Sequence, residues 1–203
     1  MTRDPMTSII LVVCTGNICR SPIAEGLLRD ALQRRFGDAA PVVASAGTSG
    51  LEGSDAMPES VQAAYELGVD ISGHRGRRLT AQMAEGSDLL LCMASNHSDV
   101  LTFEFDFGSR AFTLKELVRL LESLPTVDPG SAPAGLVSRV AAAQAARAHH
   151  DGPASRDNDI ADPLGQPIEA YRAIAWEIDT WTDRLVDGLF GPAVDTGSAL
   201  EGT

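Results

Sequence analysis

An uninterrupted apolar run at residues 8–13, SIILVV, leads directly into the segment CTGNICRS at residues 14–21. A run without apolar–polar alternation is typical of a parallel strand that is covered on both faces. Behind the segment, Pro22 stands at a helix-start position, apolar residues recur at helical spacing as far as Phe36, and Gly37 ends the pattern. The sequence therefore predicts a strand, a short loop and a helix in direct succession, which is the repeating unit of open α/β folds.

The rest of the chain continues this alternation of strands and helices. Further strands are predicted at residues 41–47, 88–93 and 110–112, and further helices at 58–67 and 113–124. A final long helix is indicated by apolar residues at helical spacing: Ile168, Tyr171, Ile174, Ile178, Trp181 and Leu185. This order predicts an α/β fold, a four-stranded parallel sheet with helices on both faces.

Length and composition predict one domain with less regular margins. The chain of 203 residues is long enough for one ordinary core. We expect a single domain at residues 8–190, a flexible N-terminus at 1–7 and a disordered tail at 191–203. Residues 125–158 are rich in Pro, Gly and Ala, and they read as a partly mobile surface insertion with a helical piece at 136–148.

The charge and the cysteine count limit the partners and the compartment. A net charge of −12 argues against nucleic acid or an anionic membrane as the main partner. No apolar run approaches the roughly 18–20 residues that a membrane helix needs, and the first residues lack the layout of a signal peptide. Three cysteines do not form a disulfide framework. We therefore expect a cytoplasmic protein.

The segment CTGNICRS carries residues suited to binding and attacking a phosphoryl group. It lies between a strand and a helix N-terminus, where backbone N–H groups converge and the helix dipole favours an anion. In this setting we expect Cys14 to be a thiolate nucleophile. Arg20 offers a planar fork for two phosphate oxygens, and Gly16 permits an unusual backbone conformation. Ser21 can cap the helix and donate a hydrogen bond to the sulfur of Cys14.

Three other interpretations of the segment are weaker. A cysteine followed after five residues by arginine arises by chance in many proteins, but here it coincides with a strand–loop–helix junction and with Gly and Asn inside the loop. A nucleotide-binding P-loop is excluded because its glycine–lysine pattern is absent. A zinc site is disfavoured because Cys14 and Cys19 lack the spacing of tetrahedral ligands.

The string VCTGNICRSPIAE resembles the defining motif of the low-molecular-weight protein tyrosine phosphatase family. Further similarity runs through SAGTSG (45–50), SGHRGRRLT (72–80), DLLLCM (88–93) and DIADP (159–163). The resemblance implies a three-layer αβα fold of the phosphotyrosine phosphatase I type and a phosphocysteine intermediate without metal or cofactor. It also implies a phosphate-binding loop made of Thr15, Gly16, Asn17, Ile18, Cys19 and Ser21 around the catalytic pair Cys14 and Arg20.

The same resemblance assigns supporting roles to other residues. Asn17, Ser45 and His74 match family positions that form a hydrogen-bond network bracing the loop. Cys19 matches a second loop cysteine that can form a protective disulfide with the nucleophile under oxidation. Cys92 matches a buried strand cysteine and is expected to belong to the core.

An acid is needed to protonate the leaving group, and the chain has three Asp-Pro pairs. Asp4 precedes the domain, and Asp128 lies in the predicted insertion. Asp162 precedes the long final helix, which can hold its loop over the pocket, and it matches the family's general acid. We therefore predict Asp162 as the acid for the leaving group and then the base for the hydrolytic water.

The substrate follows less directly from the sequence. The family's phosphotyrosine enzymes usually line the pocket with aromatic rings, whereas this chain has Leu51 and Leu164 at those positions. Ile18 stands where phosphoarginine-specific relatives carry Thr. Phosphotyrosine on a protein is therefore favoured over phosphoarginine or a small phosphomonoester, and we expect a monomer.

Two further functions fit the sequence less well. Arsenate reduction needs two more thiols on a loop after the third strand, where the chain has Cys92 alone. A non-catalytic phosphate-binding module would normally lack the nucleophile, the arginine or the acid, and all three are present.

His97, His149 and His150 are expected at the surface, and Trp176 and Trp181 in the core.

Overall fold

The computed structural model describes residues 8–128, 132–148 and 156–193. Within these ranges the strands are β1 (Ile9–Cys14), β2 (Val42–Gly47), β3 (Leu89–Cys92) and β4 (Ala111–Thr113). The helices are α1 (Arg20–Phe36), α2 (Pro58–Glu66), α3 (Ala81–Glu85), α4 (Ser95–Phe103), α5 (Leu114–Ser123), α6 (Leu136–Arg147) and α7 (Ile168–Phe190). The predicted flexible N-terminus at 1–7 lies outside the described residues, as does most of the predicted tail at 191–203.

The four strands form one parallel sheet in the order β2-β1-β3-β4. This confirms the predicted four-stranded parallel sheet. Strand β1 lies between β2 and β3, helices cover both faces of the sheet, and the apolar side chains of β1 alternate between two cores. Ile10 and Val12 face the larger core, with α1, α2, α5, α6 and α7, whereas Leu11 and Val13 face the smaller core, with α3 and α4. The arrangement is the three-layer αβα sandwich that the sequence predicts.

Local sequence explains where the main helices begin and end. Gly37, with a φ of +54°, ends α1 in a conformation that favours glycine. Thr113 begins α5 with a capping box, in which its hydroxyl accepts from the Glu116 N–H and the Glu116 carboxylate accepts from the Thr113 N–H. The buried stripe of α7 runs from Tyr171 to Phe190. Trp181 packs against the core, but Trp176 is exposed, so the prediction that Trp176 belongs to the core is wrong.

The helical piece predicted at 136–148 is α6, and it is packed on the domain. Leu136, Val140 and Ala143 are buried in the larger core. At its C-terminal end, the Arg147 guanidinium pairs with the Glu116 carboxylate of α5 at 2.8 Å. Residues 129–131 and 149–155 on either side of α6, including His149 and His150, lie outside the described residues.

Candidate active site

The segment between β1 and α1 forms a loop whose carbonyl groups are all engaged elsewhere. The carbonyl oxygens of residues 14–19 accept hydrogen bonds from backbone N–H groups or, for Asn17, from a histidine ring; the donors are Thr48, Ser49, Leu51, His74, Met57 and Ile23. The N–H groups of Thr15, Gly16, Ile18 and Cys19 donate no hydrogen bond to any described residue. The loop therefore has backbone donors to offer an anion at the N-terminus of α1, as a phosphate cradle requires.

The sulfur of Cys14 lies at the end of β1 and receives two hydrogen bonds. The Asn17 N–H donates to it at 3.3 Å, and the Ser21 hydroxyl lies 2.9 Å away. The Ser21 hydroxyl already accepts from the Asn17 side-chain amide at 2.8 Å. Its own hydrogen is therefore free to point at the sulfur, where it stabilises a thiolate.

Asn17 ties the loop to three neighbouring segments. Its backbone has a φ of +58°, a left-handed conformation that asparagine tolerates better than most residues. Its Nδ2 donates to the Ser45 hydroxyl on β2 at 2.8 Å, and its Oδ1 accepts from the Arg77 N–H at 2.8 Å. Its carbonyl accepts from Nε2 of His74 at 2.8 Å. The structure thus brings together Asn17, Ser45 and His74, the three residues predicted to brace the loop.

Glu25 extends this network and was missed by the sequence analysis. The Ser45 hydroxyl donates to the Glu25 carboxylate, which also pairs with Arg29 one turn along α1. Nδ1 of His74 lies 3.9 Å from the same carboxylate. Glu25 closes the motif string VCTGNICRSPIAE, so its presence there was the available signal.

Arg20 is the first residue of α1, and its guanidinium contacts the loop that carries Asp162. Its Nη1 donates to the Ile160 carbonyl at 3.0 Å, and its Nη2 pairs with the Asp162 carboxylate at 2.6 Å. The side chain of Arg20 is 6% exposed, whereas that of Asp162 is 47% exposed. Arg20 is therefore fixed from one side, and Asp162 faces the pocket mouth.

These residues surround a pocket of about 230 Å³. Cys14, Arg20 and Asp162 line it together with the predicted wall residues Leu51 and Leu164. Leu51 and Leu164 are about half exposed, at 49% and 54%, and Ile18 adds a third aliphatic surface. The cavity is thus a narrow apolar cleft with a polar floor.

A larger concavity of about 430 Å³ lies between α1 and residues 70–77 and shares no lining residue with this pocket. It is lined mainly by charged side chains, among them Glu25, Arg29 and Arg75. The smaller pocket is nevertheless the candidate active site, because it holds the predicted nucleophile Cys14, the Arg20 guanidinium and the Asp162 carboxyl group.

His97 is fully buried, so the prediction that it lies at the surface is wrong. Its Nε2 hydrogen-bonds the Thr15 hydroxyl at 2.9 Å, and its Nδ1 has no partner among the described residues. Burial lowers the pKa of His97 to about 4; the nearby Arg20 charge adds to the effect, and Asp159 and Asp162 oppose it. His97 is therefore a neutral support behind the catalytic loop.

The two other cysteines are both buried and free. Burial raises the pKa of Cys19 to about 11. Cys92 lies in the smaller core, and burial raises its pKa further. Cys19 is thus a neutral thiol beside the nucleophile, and a disulfide between it and Cys14 stays a prediction.

The fold and the loop define a class of protein: an αβα phosphatase with a cysteine at the end of its first strand. The family model for low molecular weight phosphotyrosine protein phosphatase matches residues 9–129. The chain belongs to this family, whose members are hydrolases.

Similar proteins include enzymes named for two substrates. The chain is 32% identical to a protein-arginine-phosphatase of Geobacillus stearothermophilus over 89% of this chain and 95% of that one. It is 50% identical to the low molecular weight protein-tyrosine-phosphatase Etp of Escherichia coli, over 43% of this chain and 55% of that relative. The structure of the Geobacillus stearothermophilus arginine phosphatase YwlE superposes with a TM-score of 0.65 at 32% identity, covering 90% of this chain and 92% of that one. The Escherichia coli tyrosine phosphatase Wzb, solved with sulphate, gives 0.63 at 25% identity, covering 91% and 99%.

Among the described helices, none is both long enough and apolar enough to cross a membrane.

Proposed function

We propose that this chain hydrolyses phosphotyrosine in proteins through a phosphocysteine intermediate on Cys14. The observation that carries the proposal is the meeting of three groups in one small pocket: the hydrogen-bonded sulfur of Cys14, the guanidinium of Arg20 and the carboxyl group of Asp162. A nucleophile, an anion clamp and a general acid are what transfer of a phosphoryl group to sulfur requires.

The first step forms an S–P bond and breaks the P–O bond to the leaving group. The Cys14 thiolate attacks phosphorus while Arg20 and the backbone N–H groups of the loop hold the phosphoryl oxygens. Protonated Asp162 gives its proton to the departing phenolate. In the second step Asp162, now a carboxylate, takes a proton from water; the water oxygen bonds to phosphorus, and the Cys14 thiolate leaves.

The pairing of Arg20 with Asp162 suggests how substrate prepares the acid. Phosphate oxygens at the guanidinium would compete with the Asp162 carboxylate for Nη2 of Arg20, since both are anionic acceptors. Substrate binding would thereby release the Asp162 carboxyl group from the guanidinium.

The apolar wall favours a flat, uncharged group next to the phosphate. Ile18, Leu51 and Leu164 offer hydrocarbon to a tyrosine ring, whereas a guanidinium group would lose water against the same surface. A second candidate, phosphoarginine, is supported by the Geobacillus stearothermophilus relative, because its similarity extends over 89% of this chain.

Initial rates on matched phosphotyrosine and phosphoarginine peptides distinguish the two candidates. We expect the phosphotyrosine peptide to be hydrolysed faster. Ile18→Thr introduces a polar side chain into the pocket wall and should shift the ratio of the two rates toward phosphoarginine. A faster rate on the phosphoarginine peptide with the unaltered chain would replace the proposed substrate by the second candidate.

We further infer that the protein acts as a monomer in the cytoplasm. The free state of Cys14, Cys19 and Cys92 supports a reducing compartment. Size-exclusion chromatography with light scattering measures the molar mass in solution, which should be that of a single chain.

A further inference from the structure

Hydrogen bonds connect the backbone of the loop that carries Asp162 to the residue after β3, to α1 and to α5. The Ile160 N–H donates to the Met93 carbonyl at the end of β3 at 2.7 Å, and the Ile160 carbonyl accepts from Arg20 of α1 at 3.0 Å. The Asp159 carbonyl accepts from Nζ of Lys115, on the first turn of α5, at 2.9 Å. The Asp159 carboxylate in turn accepts from the N–H and hydroxyl of Ser95, at 2.7 and 3.2 Å.

Lys115 is an unusual residue for a nearly buried position. Its side chain is only 11% exposed, and its Nζ lies 2.6 Å from the Glu177 carboxylate of α7. Removing an ammonium group from water is costly, and an ion pair only partly offsets that cost. An apolar side chain of similar length would fill the same space at lower cost. Packing alone therefore does not explain the ammonium group of Lys115, which points to a role for its charge.

The useful contact is the one between Nζ of Lys115 and the Asp159 carbonyl. Glu177 fixes the ammonium from the α7 side, and the Asp159 carbonyl lies on the other side, three residues before Asp162. The chain of contacts thus connects the rigid helices α5 and α7 to the backbone that carries the acid. A catalytic group displaced by 1 Å can lose about 10²-fold in rate, so a rigid attachment matters here.

We propose that Lys115 is a positioning residue for Asp162, acting through the Asp159 carbonyl and held in place by Glu177. The inference rests on the proposed function, because it assigns Lys115 to the step in which Asp162 protonates the leaving group. Lys115 does not line the catalytic pocket, so its effect on binding of the phosphate should be small.

The test compares two substrates that differ by one nitro group and therefore in how much their leaving groups need the acid. Phenyl phosphate has a poor leaving group, and p-nitrophenyl phosphate has a good one. For Lys115→Met we expect kcat/KM to fall about tenfold on phenyl phosphate and less than about threefold on p-nitrophenyl phosphate, with the affinity for inorganic phosphate unchanged. An equal loss on both substrates, or no loss on either, would overturn the proposal.

Two further variants guard against a purely structural effect. Arg119→Gln is the matched control, because Arg119 lies one turn further along α5 and contacts the Asn158 side chain rather than the backbone of the acid loop. We expect it to leave the ratio of the two rates unchanged. If Lys115→Met does not fold, the double variant Lys115→Met, Glu177→Met removes both charges together and keeps the packing. It should show the same selective loss, and an unchanged ratio of the two rates would refute the proposal.

Asp162→Asn, measured beside these variants, separates the inference from the proposed function. If Asp162→Asn has no leaving-group-dependent loss, the acid itself is wrongly assigned. If Asp162→Asn has that loss and Lys115→Met lacks it, only the role of Lys115 fails.

Discussion

At the scale of single residues, Asp162 differs from the other described Asp-Pro aspartate, Asp128, in what surrounds it. Asp162 pairs with Arg20 and lines the catalytic pocket. The Asp128 backbone packs beside Gly191, just after the C-terminal end of α7. Because α7 has 23 residues at roughly 1.5 Å each, that end lies about 35 Å from the end that follows Asp162. The two aspartates thus lie near opposite ends of α7, and Asp4 lies outside the described residues.

This difference gives a prediction for Asp162→Asn. The change keeps the shape but removes the transferable proton, so kcat/KM on phenyl phosphate should fall by roughly 10²–10⁴. The loss should be smaller on p-nitrophenyl phosphate, and phosphate affinity should hold or improve because a carboxylate has gone. Asp128→Asn is the control and should be nearly silent in the same steady-state assays. A crippled Asp128→Asn would mean that the acid had been assigned to the wrong loop.

His97 predicts a specific pH dependence of stability. Its pKa is lowered from 6.5 to about 4 in the folded chain, so below pH 6.5 the unfolded chain binds a proton that the folded chain does not. The free energy of unfolding should therefore decrease as the pH falls from 6.5 toward 4, by on the order of 2–3 kcal/mol from this group.

Urea unfolding at pH 7 and pH 4.5 measures this contribution. His97→Gln keeps a polar group near Thr15 but cannot gain the charge, so it should lose less stability between the two pH values than the unaltered chain does. Equal losses of stability in the two proteins would contradict a lowered pKa of His97 in the folded chain.

The proposed catalytic residues and the bracing residues Asn17, Ser45 and His74 could be predicted from the sequence, whereas the support from His97 could not. Cys14, Arg20 and Ser21 fall within eight residues of one another, so a strand–loop–helix pattern was enough to bring them together. His97 reaches Thr15 across 82 positions of the chain, on a helix with no clear periodicity. A lone histidine of this kind gives no signal until the tertiary structure is known.

At the scale of elements, the end of β2 supports the catalytic loop through a glycine. A Cβ atom at Gly47 would lie 2.4 Å from the Thr15 carbonyl oxygen and 2.9 Å from the Asn17 nitrogen. Both are backbone atoms of the loop and cannot rotate away. The close approach of β2 to the loop therefore requires glycine at the end of the SAG segment.

We predict that Gly47→Ala displaces the loop. The free energy of unfolding should fall by about 1–3 kcal/mol, and phosphatase activity should fall much more than the stability loss explains, because the displaced atoms hold the phosphate. Gly73→Ala is the control, since a Cβ atom there meets no atom within 4 Å. The prediction fails if Gly47→Ala retains the activity of Gly73→Ala at a temperature where both are folded.

Element prediction succeeded where the periodic pattern was long. All four strands and the helices α1, α2, α5, α6 and α7 were predicted within a few residues of their bounds. Helix α3 has five residues and was missed, as was α4, which has only two buried side chains, His97 and Leu101. Helix α1 begins at Arg20 rather than Pro22, with Cys19 at the N-cap position. Ser21 therefore lies inside the helix, and the prediction that it caps the helix is wrong.

At the scale of the whole molecule, the site concentrates positive potential in an acidic chain. The net charge is −12, yet the pocket floor combines a guanidinium, unengaged N–H groups and the N-terminus of α1. The fold produces this contrast by ending its central strand, β1, at the start of its first helix. We therefore expect an anion to bind at this junction despite the negative net charge.

The proposed mechanism depends most on the sulfur of Cys14 as the atom that receives the phosphoryl group. The direct measurement is to mix the protein with p-nitrophenyl phosphate and denature it within milliseconds. Mass spectrometry of the digested chain then locates the residue that carries the transferred phosphoryl group. We predict one phosphoryl group on the Cys14 sulfur, and neither label nor turnover with Cys14→Ala. A phosphoryl group on another residue, or hydrolysis by Cys14→Ala at the rate of the unaltered chain, would contradict the proposed mechanism.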